Sequence, residues 1–161
     1  MQKFYLITAL LILNFLSWQI IFSWFNFSPT ISFLNVGQGN ATLIKDRSGN
    51  ILIDAGKNNG LILTEKLKVL PYFKNKIDVA IITHADTDHY GGFFDLFQIQ
   101  KPGLVIYNGG LSKEETFNNF LAIVKEKNIP LIDFKAGDKI LTKNSILQAL
   151  APENYNAKTT D

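Results

Sequence analysis

Both histidines of the chain and two of its carboxylates fall within six positions, His84-Ala-Asp86-Thr-Asp88-His89, and Tyr90, Gly91 and Gly92 follow at once. Neutral imidazole combined with carboxylate is a donor set for Zn²⁺, and also for Mn²⁺ or Fe²⁺. A lone His or Asp at a strand end is ordinarily a cap or a surface group, but four at this spacing point to a metal-binding loop. Donors at 84, 86, 88 and 89 do not share one face of a regular strand or helix. They converge if residues 84–89 form a loop between a strand and a helix, with Gly91 and Gly92 letting the backbone pass close beneath an ion. Asp88 and His89 are adjacent, so one loop could feed two ions. Two ions a few ångströms apart would activate a water and stabilise a leaving oxygen.

The elements that must position this cluster are legible on either side of it. Asp78 to Thr83 is an apolar run that reads as a buried strand, and Gly91 to Ile99, rich in Phe, as a short helix. Upstream, Ile31–Val36, Ala41–Lys45 and Ile51–Asp54 read as strands separated by Gly37-Gln-Gly39 and Asp46-Arg-Ser-Gly-Asn50 turns. A helix is predicted from Leu61 to Leu70, ahead of Pro71. Leu104–Tyr107, Leu131–Phe134, Lys139–Thr142 and Ser145–Leu150 supply further strands. Ser112-Lys-Glu-Glu115 fits a capping box, and Phe117, Phe120, Leu121 and Val124 form one apolar helix face, which reads as core. A meander followed by alternating strand and helix predicts an α/β sandwich on a mixed sheet.

Residues 4–25 are a different material. They carry no charge, and 22 helical residues reach roughly 33 Å against a hydrocarbon core of about 30 Å. Trp18 and Trp24 lie toward the far end, where an aromatic belt would sit. The run is long for a signal peptide, and Phe22 to Ser28 offers no small-x-small cleavage site. Asn14, Ser17 and Gln19 do not form the polar face of a core helix. We therefore expect residues 1–30 to be a membrane anchor and linker, with Pro29 ending the helix, and residues 31–161 to be the domain. Lys3 precedes the run and no basic residue follows before Lys45. That places the N-terminus in the cytoplasm and the domain outside it.

The chain has 161 residues, a net charge of +2 and 16 Lys and Arg spread among acids, so no basic stripe suited to nucleic acid stands out. There is no cysteine, which excludes disulfides, thiolate metal sites and lipid attachment through an N-terminal cysteine.

His-x-Asp-x-Asp-His-x-Gly-Gly after an apolar strand resembles the signature of the metallo-β-lactamase fold hydrolases. With Asp at position 86 it is similar to their competence-related, ComEC/Rec2-like subgroup. Ile31-Ser-Phe-Leu-Asn-Val-Gly-Gln-Gly39, Ile51-Leu-Ile-Asp-Ala-Gly56, Gly137-Asp-Lys-Ile140 and Ile146 to Pro152 agree with that subgroup in order and spacing. The resemblance implies an αββα sandwich behind one transmembrane helix, and a divalent metal, Zn²⁺ or else Mn²⁺, held by His84, Asp86, Asp88 and His89. It implies that Asp88 also orients or deprotonates the nucleophilic water, and that Asp54 is a supporting carboxylate at the site floor. It implies hydrolysis of a phosphodiester such as DNA.

The chain departs from the pattern in three ways. Asn35 and Asn40 stand where the family carries acids. Asp86 offers oxygen in place of nitrogen. The family's second half, with a bridging Asp and a further His, has no counterpart, so the chain reads as the N-terminal part of a longer protein. An incomplete second sheet would leave an unpaired edge and an exposed apolar face. Two other readings stay open: a hydrolase of small esters, amides or phosphates on the same fold, and a non-catalytic anchored module.

Overall fold

The computed structural model describes residues 2–25, 28–71, 75–110 and 115–151. The elements in chain order are α1 (Gln2–Phe25), β1 (Thr30–Phe33), β2 (Thr42–Asp46), β3 (Gly49–Ile53), α2 (Leu61–Val69), β4 (Val79–Ile82), α3 (Thr87–Tyr90) and α4 (Gly92–Ile99). β5 (Leu104–Tyr107), α5 (Glu115–Glu126), β6 (Leu131–Asp133), β7 (Lys139–Leu141) and β8 (Ile146–Gln148) complete them.

β1 to β6 form one sheet in sequence order, with β7 and β8 as a separate antiparallel pair. The first two pairings are antiparallel and those from β3 to β6 are parallel, so the sheet is mixed, as the sequence predicts. Leu43, Leu52, Ala80 and Val105 lie side by side across four strands, each at most 1% exposed. The helices cover this row with Ile62 of α2, Phe93, Leu96 and Phe97 of α4, and Phe117, Phe120 and Val124 of α5. Phe120 is the hub, its ring centroid 5.6 Å from those of Phe97 and Tyr90.

The opposite face is also aliphatic. Ile31, Ile44, Ile51, Val79 and Leu104 share one row, and Ile53, Ile81, Ile106 and Ile132 another. In the middle of this face Ile44, Ile51 and Ile106 are buried and Ile53, Val79, Ile81 and Leu104 half-buried, whereas Ile31 and Phe33 at one edge and Ile132 at the other are exposed. The β7–β8 hairpin is tied to the β2–β3 turn: Lys143 N–H donates to Ser48 Oγ at 2.8 Å and Ser145 Oγ to Asp46 Oδ2 at 3.3 Å. Burial opposes the charge on Asp46, yet hydrogen bonds from Ser48, Thr142 and Ser145 outweigh it and hold this carboxyl below its usual range.

Three local expectations are corrected. Residues 84–89 are not loop throughout: α3 begins at Thr87, so Asp88 and His89 stand on a helical turn. β1 ends at Phe33 because the chain bends beyond it, Val36 N–H reaching Leu34 O at 3.1 Å. β8 spans only Ile146–Gln148. Ser112 of the expected capping box lies outside the described residues.

In α1, Lys3–Phe22 has a mean hydropathy of 1.9 and is wholly exposed, so it is not a core helix. It is apolar on all sides, and the hydroxyls of Thr8 and Ser17 donate to Phe4 O and Leu13 O within the helix. It is long and apolar enough to cross a membrane.

Lys66 of α2 is an anomaly in the core. It is 1% exposed, and burial alone pushes its ammonium pKa below the ordinary value of 10.5. Below the folded-state pKa both states carry the proton, and the buried charge costs stability in full. Between that pKa and 10.5 the unfolded chain binds more protons, so stability rises with pH. Lys66→Met is expected to stabilise the fold by on the order of 1–2 kcal/mol near neutral pH and to abolish this alkaline rise. Denaturant midpoints measured from neutral to alkaline pH check it; a variant that keeps the rise would refute the assignment.

Candidate metal centre

The site is assembled where β1, β3 and β4 end. Their following segments, 37–40, 54–56 and 83–92, are stitched together by backbone hydrogen bonds. Gly56 N–H donates to Asn40 O at 2.9 Å, Ala55 N–H to His89 O at 2.7 Å, and Gly92 N–H to Gly56 O at 2.8 Å. Gly92 must be glycine here, since a Cβ on it would lie 2.1 Å from Ala55 O. The two glycines after the cluster thus let α4 approach the 55–58 backbone, rather than passing beneath an ion.

Asp54 is the buried anchor, 3% exposed. Its backbone is left-handed, with φ 56°, an uncommon conformation for a residue other than glycine. Asp54 N–H donates to Ile81 O at 2.8 Å, and its carboxylate accepts from Thr83 N–H at 2.9 Å. Its other oxygen, Oδ2, lies 2.7 Å from Thr83 Oγ1 and 2.8 Å from His89 Nδ1. With an acceptor-only carboxylate on Nδ1, His89 carries its proton there and Nε2 is the nitrogen that faces a ligand. Strain at Asp54 is thus coupled to the orientation of one imidazole.

His84 is more open. Its Nδ1 lies 2.9 Å from Thr83 Oγ1 and its Nε2 3.3 Å from Asp86 Oδ2. The two imidazoles lie against each other, ring centroids 3.7 Å apart and tilted by 49°. Asp86 occupies the N-cap position of α3, yet its side chain makes no capping bond and faces His84 instead. Asp88 follows in the first turn of α3, half-buried.

Of the residues singled out from sequence, the structure therefore joins His84 to Asp86 and Asp54 to His89, and sets the two histidines together. Asp88 is beside them in the chain, and its carboxylate makes no hydrogen bond or ion pair with any of them. Among the described residues no three His, Asp or Glu side chains form a group that could hold an ion as they stand. The donor chemistry nevertheless fits a divalent cation. Metal–donor bonds of about 2.0–2.1 Å put neighbouring donors of a tetrahedral site about 3.3–3.4 Å apart, the separation of His84 Nε2 and Asp86 Oδ2. Sequence reasoning missed Thr83, which touches Asp54 and both histidines. Its one signal was a hydroxyl at the last position before His84.

This fold and this loop define a class of protein. The profile of the metallo-beta-lactamase superfamily matches residues 34–141, and the chain belongs to that superfamily. Among characterised proteins it is similar to ComE operon protein 3 of Bacillus subtilis (strain 168), with 26% identity over 141 residues. That match covers 76% of this chain and 18% of the relative. Among solved structures it is similar to BJP-1, a subclass B3 metallo-beta-lactamase of Bradyrhizobium japonicum, with 19% identity and a TM-score of 0.50, covering 76% of this chain and 50% of that one. The native FEZ-1 metallo-beta-lactamase from Legionella gormanii gives 16% identity and a TM-score of 0.49, covering 76% and 52%. The chain thus spans about a fifth of the ComE operon protein and about half of each lactamase.

Proposed function

We propose that this chain is a membrane-anchored, metal-dependent hydrolase of phosphodiesters, DNA included, related to competence proteins, with its ligand loop outside the cytoplasm. The observation that carries the reading is the donor set His84, Asp86, Asp88 and His89 at the end of a buried parallel strand, with Asp54 fixed on His89. Family membership and the length of α1 support it.

His84 and His89 would hold Zn²⁺ or Mn²⁺ through ring nitrogen, and Asp86 and Asp88 through oxygen. A divalent ion bound there supplies Lewis acidity toward a phosphoryl oxygen and lowers the pKa of water. Asp88 orients the attacking water and takes its proton. Asp54 keeps His89 in one tautomer and one rotamer.

One observation favours the second reading, a non-catalytic anchored module: three donors do not converge in the chain as it stands. Full-length protein in detergent separates the two. On the first reading it binds Zn²⁺ or Mn²⁺ in equilibrium dialysis and hydrolyses bis(p-nitrophenyl) phosphate. Asp88→Ala combined with His89→Ala is then expected to lower turnover by at least about 100-fold. Turnover that survives the double replacement would place the chemistry elsewhere, and bound metal without turnover would favour the module. Salt-dependent DNA binding by the same preparation separates a DNA substrate from a small one.

A further inference from the structure

We propose that Thr83 is a positioning residue: its hydroxyl, fixed on buried Asp54, holds His84 as the Nδ1–H tautomer with Nε2 presented to a ligand, beside His89, which Asp54 itself holds in the same tautomer.

The argument is one of proton supply. Thr83 has a single hydroxyl hydrogen and two acceptors in reach, Asp54 Oδ2 at 2.7 Å and His84 Nδ1 at 2.9 Å. Given to His84 Nδ1, it makes His84 the Nε2–H tautomer, whose hydrogen points at Asp86 and closes that nitrogen to a ligand. Given to Asp54, it leaves Thr83 Oγ1 to accept from His84 Nδ1–H, and the lone pair at His84 Nε2 is open. A hydroxyl-to-carboxylate bond is shorter and stronger than one to a neutral acceptor, and the shorter distance is the one to Asp54. Thr83 is also rigidly placed: its own N–H donates to Asp54 Oδ1 at 2.9 Å. In this state His84 Nε2 and Asp86 Oδ2 face each other as two acceptors at 3.3 Å, with no hydrogen between them. A cation satisfies that arrangement. Thr83 Oγ1 also lies 3.4 Å from His89 Nδ1, beside the shorter bond from His89 to Asp54. Asp54 thereby holds His89 directly and His84 through the Thr83 hydroxyl.

This inference rests on the metal-loop reading for its purpose, but its structural content does not, and the test separates them. Full-length, metal-free protein with ¹⁵N-labelled histidine is placed in detergent at pH about 8, where an ordinary imidazole is neutral. Long-range ¹H–¹⁵N correlation spectra are expected to show the Nδ1–H pattern for both rings. Thr83→Val moves His84 toward the Nε2–H pattern while His89, still on Asp54, keeps its own; Thr83→Ser restores the Nδ1–H pattern of His84. Co²⁺ affinity falls about 10- to 100-fold in the valine variant and recovers in the serine variant. An Nε2–H pattern for His84 in the unaltered protein overturns the proposal without recourse to any variant. So does a Thr83→Val protein whose His84 pattern is unchanged. Correct tautomers in a protein that binds no Co²⁺, Zn²⁺ or Mn²⁺ sink the metal reading and leave the role of Thr83 standing.

Discussion

On the proposed metal reading, Asp54→Asn is expected to lower Zn²⁺ or Mn²⁺ affinity about 10- to 100-fold, the usual loss when the partner of a ligating histidine is removed, while the fold survives. Asparagine tolerates the left-handed backbone that position 54 requires, φ 56°. Its amide oxygen can still accept from Thr83 N–H, now at 2.9 Å. What changes is the other arm. Where Asp54 Oδ2 takes hydrogens from Thr83 Oγ1 and His89 Nδ1, the amide offers two hydrogens of its own. His89 must then shift its proton to Nε2, the nitrogen the loop needs free, or turn away. A stability loss of about 1–3 kcal/mol accompanies the mispaired buried group. Competition with a chelator of known affinity reads the first effect and a denaturant curve the second. Undiminished metal affinity in this variant would mean that His89 needs no help from Asp54.

Gly39→Ala has the largest expected effect on the fold. Gly39 adopts φ +98°, and a Cβ there would lie 1.8 Å from Asp88 O and 2.8 Å from the carbonyl carbon. Both partners are backbone, so no side-chain rotation relieves the overlap. The 37–40 turn or the start of α3 must move, and Asp88 and His89 move with it. A cost of about 3–5 kcal/mol is expected, at the extreme end for one substitution. Gly37→Ala is the matched control. Its φ is +76°, but its added Cβ would meet only side chains, Leu61 at 3.4 Å and Asn59 at 3.9 Å, so its cost should stay at about the 1–2 kcal/mol scale of a left-handed backbone. Equal losses in the two variants would show that the close approach to Asp88 contributes nothing.

Most strands were readable because they are short apolar runs between turn residues. Leu104–Tyr107 is recovered residue for residue as β5, and Phe117, Phe120 and Val124 are the buried face of α5. α3 was read as loop because four residues, Thr87 to Tyr90, are too few to show a 3.6-residue period. The candidate site was legible as far as its residues adjoin in sequence. Asp54 and His89 are 35 positions apart, and only the parallel pairing of β3 with β4 brings them to 2.8 Å. Thr83 was invisible for another reason: a threonine ending a strand satisfies β-propensity, and propensity says nothing about where its hydroxyl points.

The direction of β1 carries a consequence for access. β1 pairs antiparallel with β2, and β2 with β3, so β1 runs the same way as β3 and β4. α1 ends at Phe25 and β1 begins at Thr30, a gap of at most about 18 Å of extended chain. The tether therefore meets the sheet at the end where these strands start, and the histidine loop lies at the end where they finish. With α1 in a bilayer, the point of attachment and the histidine loop would stand at opposite ends of these strands. On the proposed reading, a substrate dissolved in water would approach the donors from the end of the sheet away from the anchor.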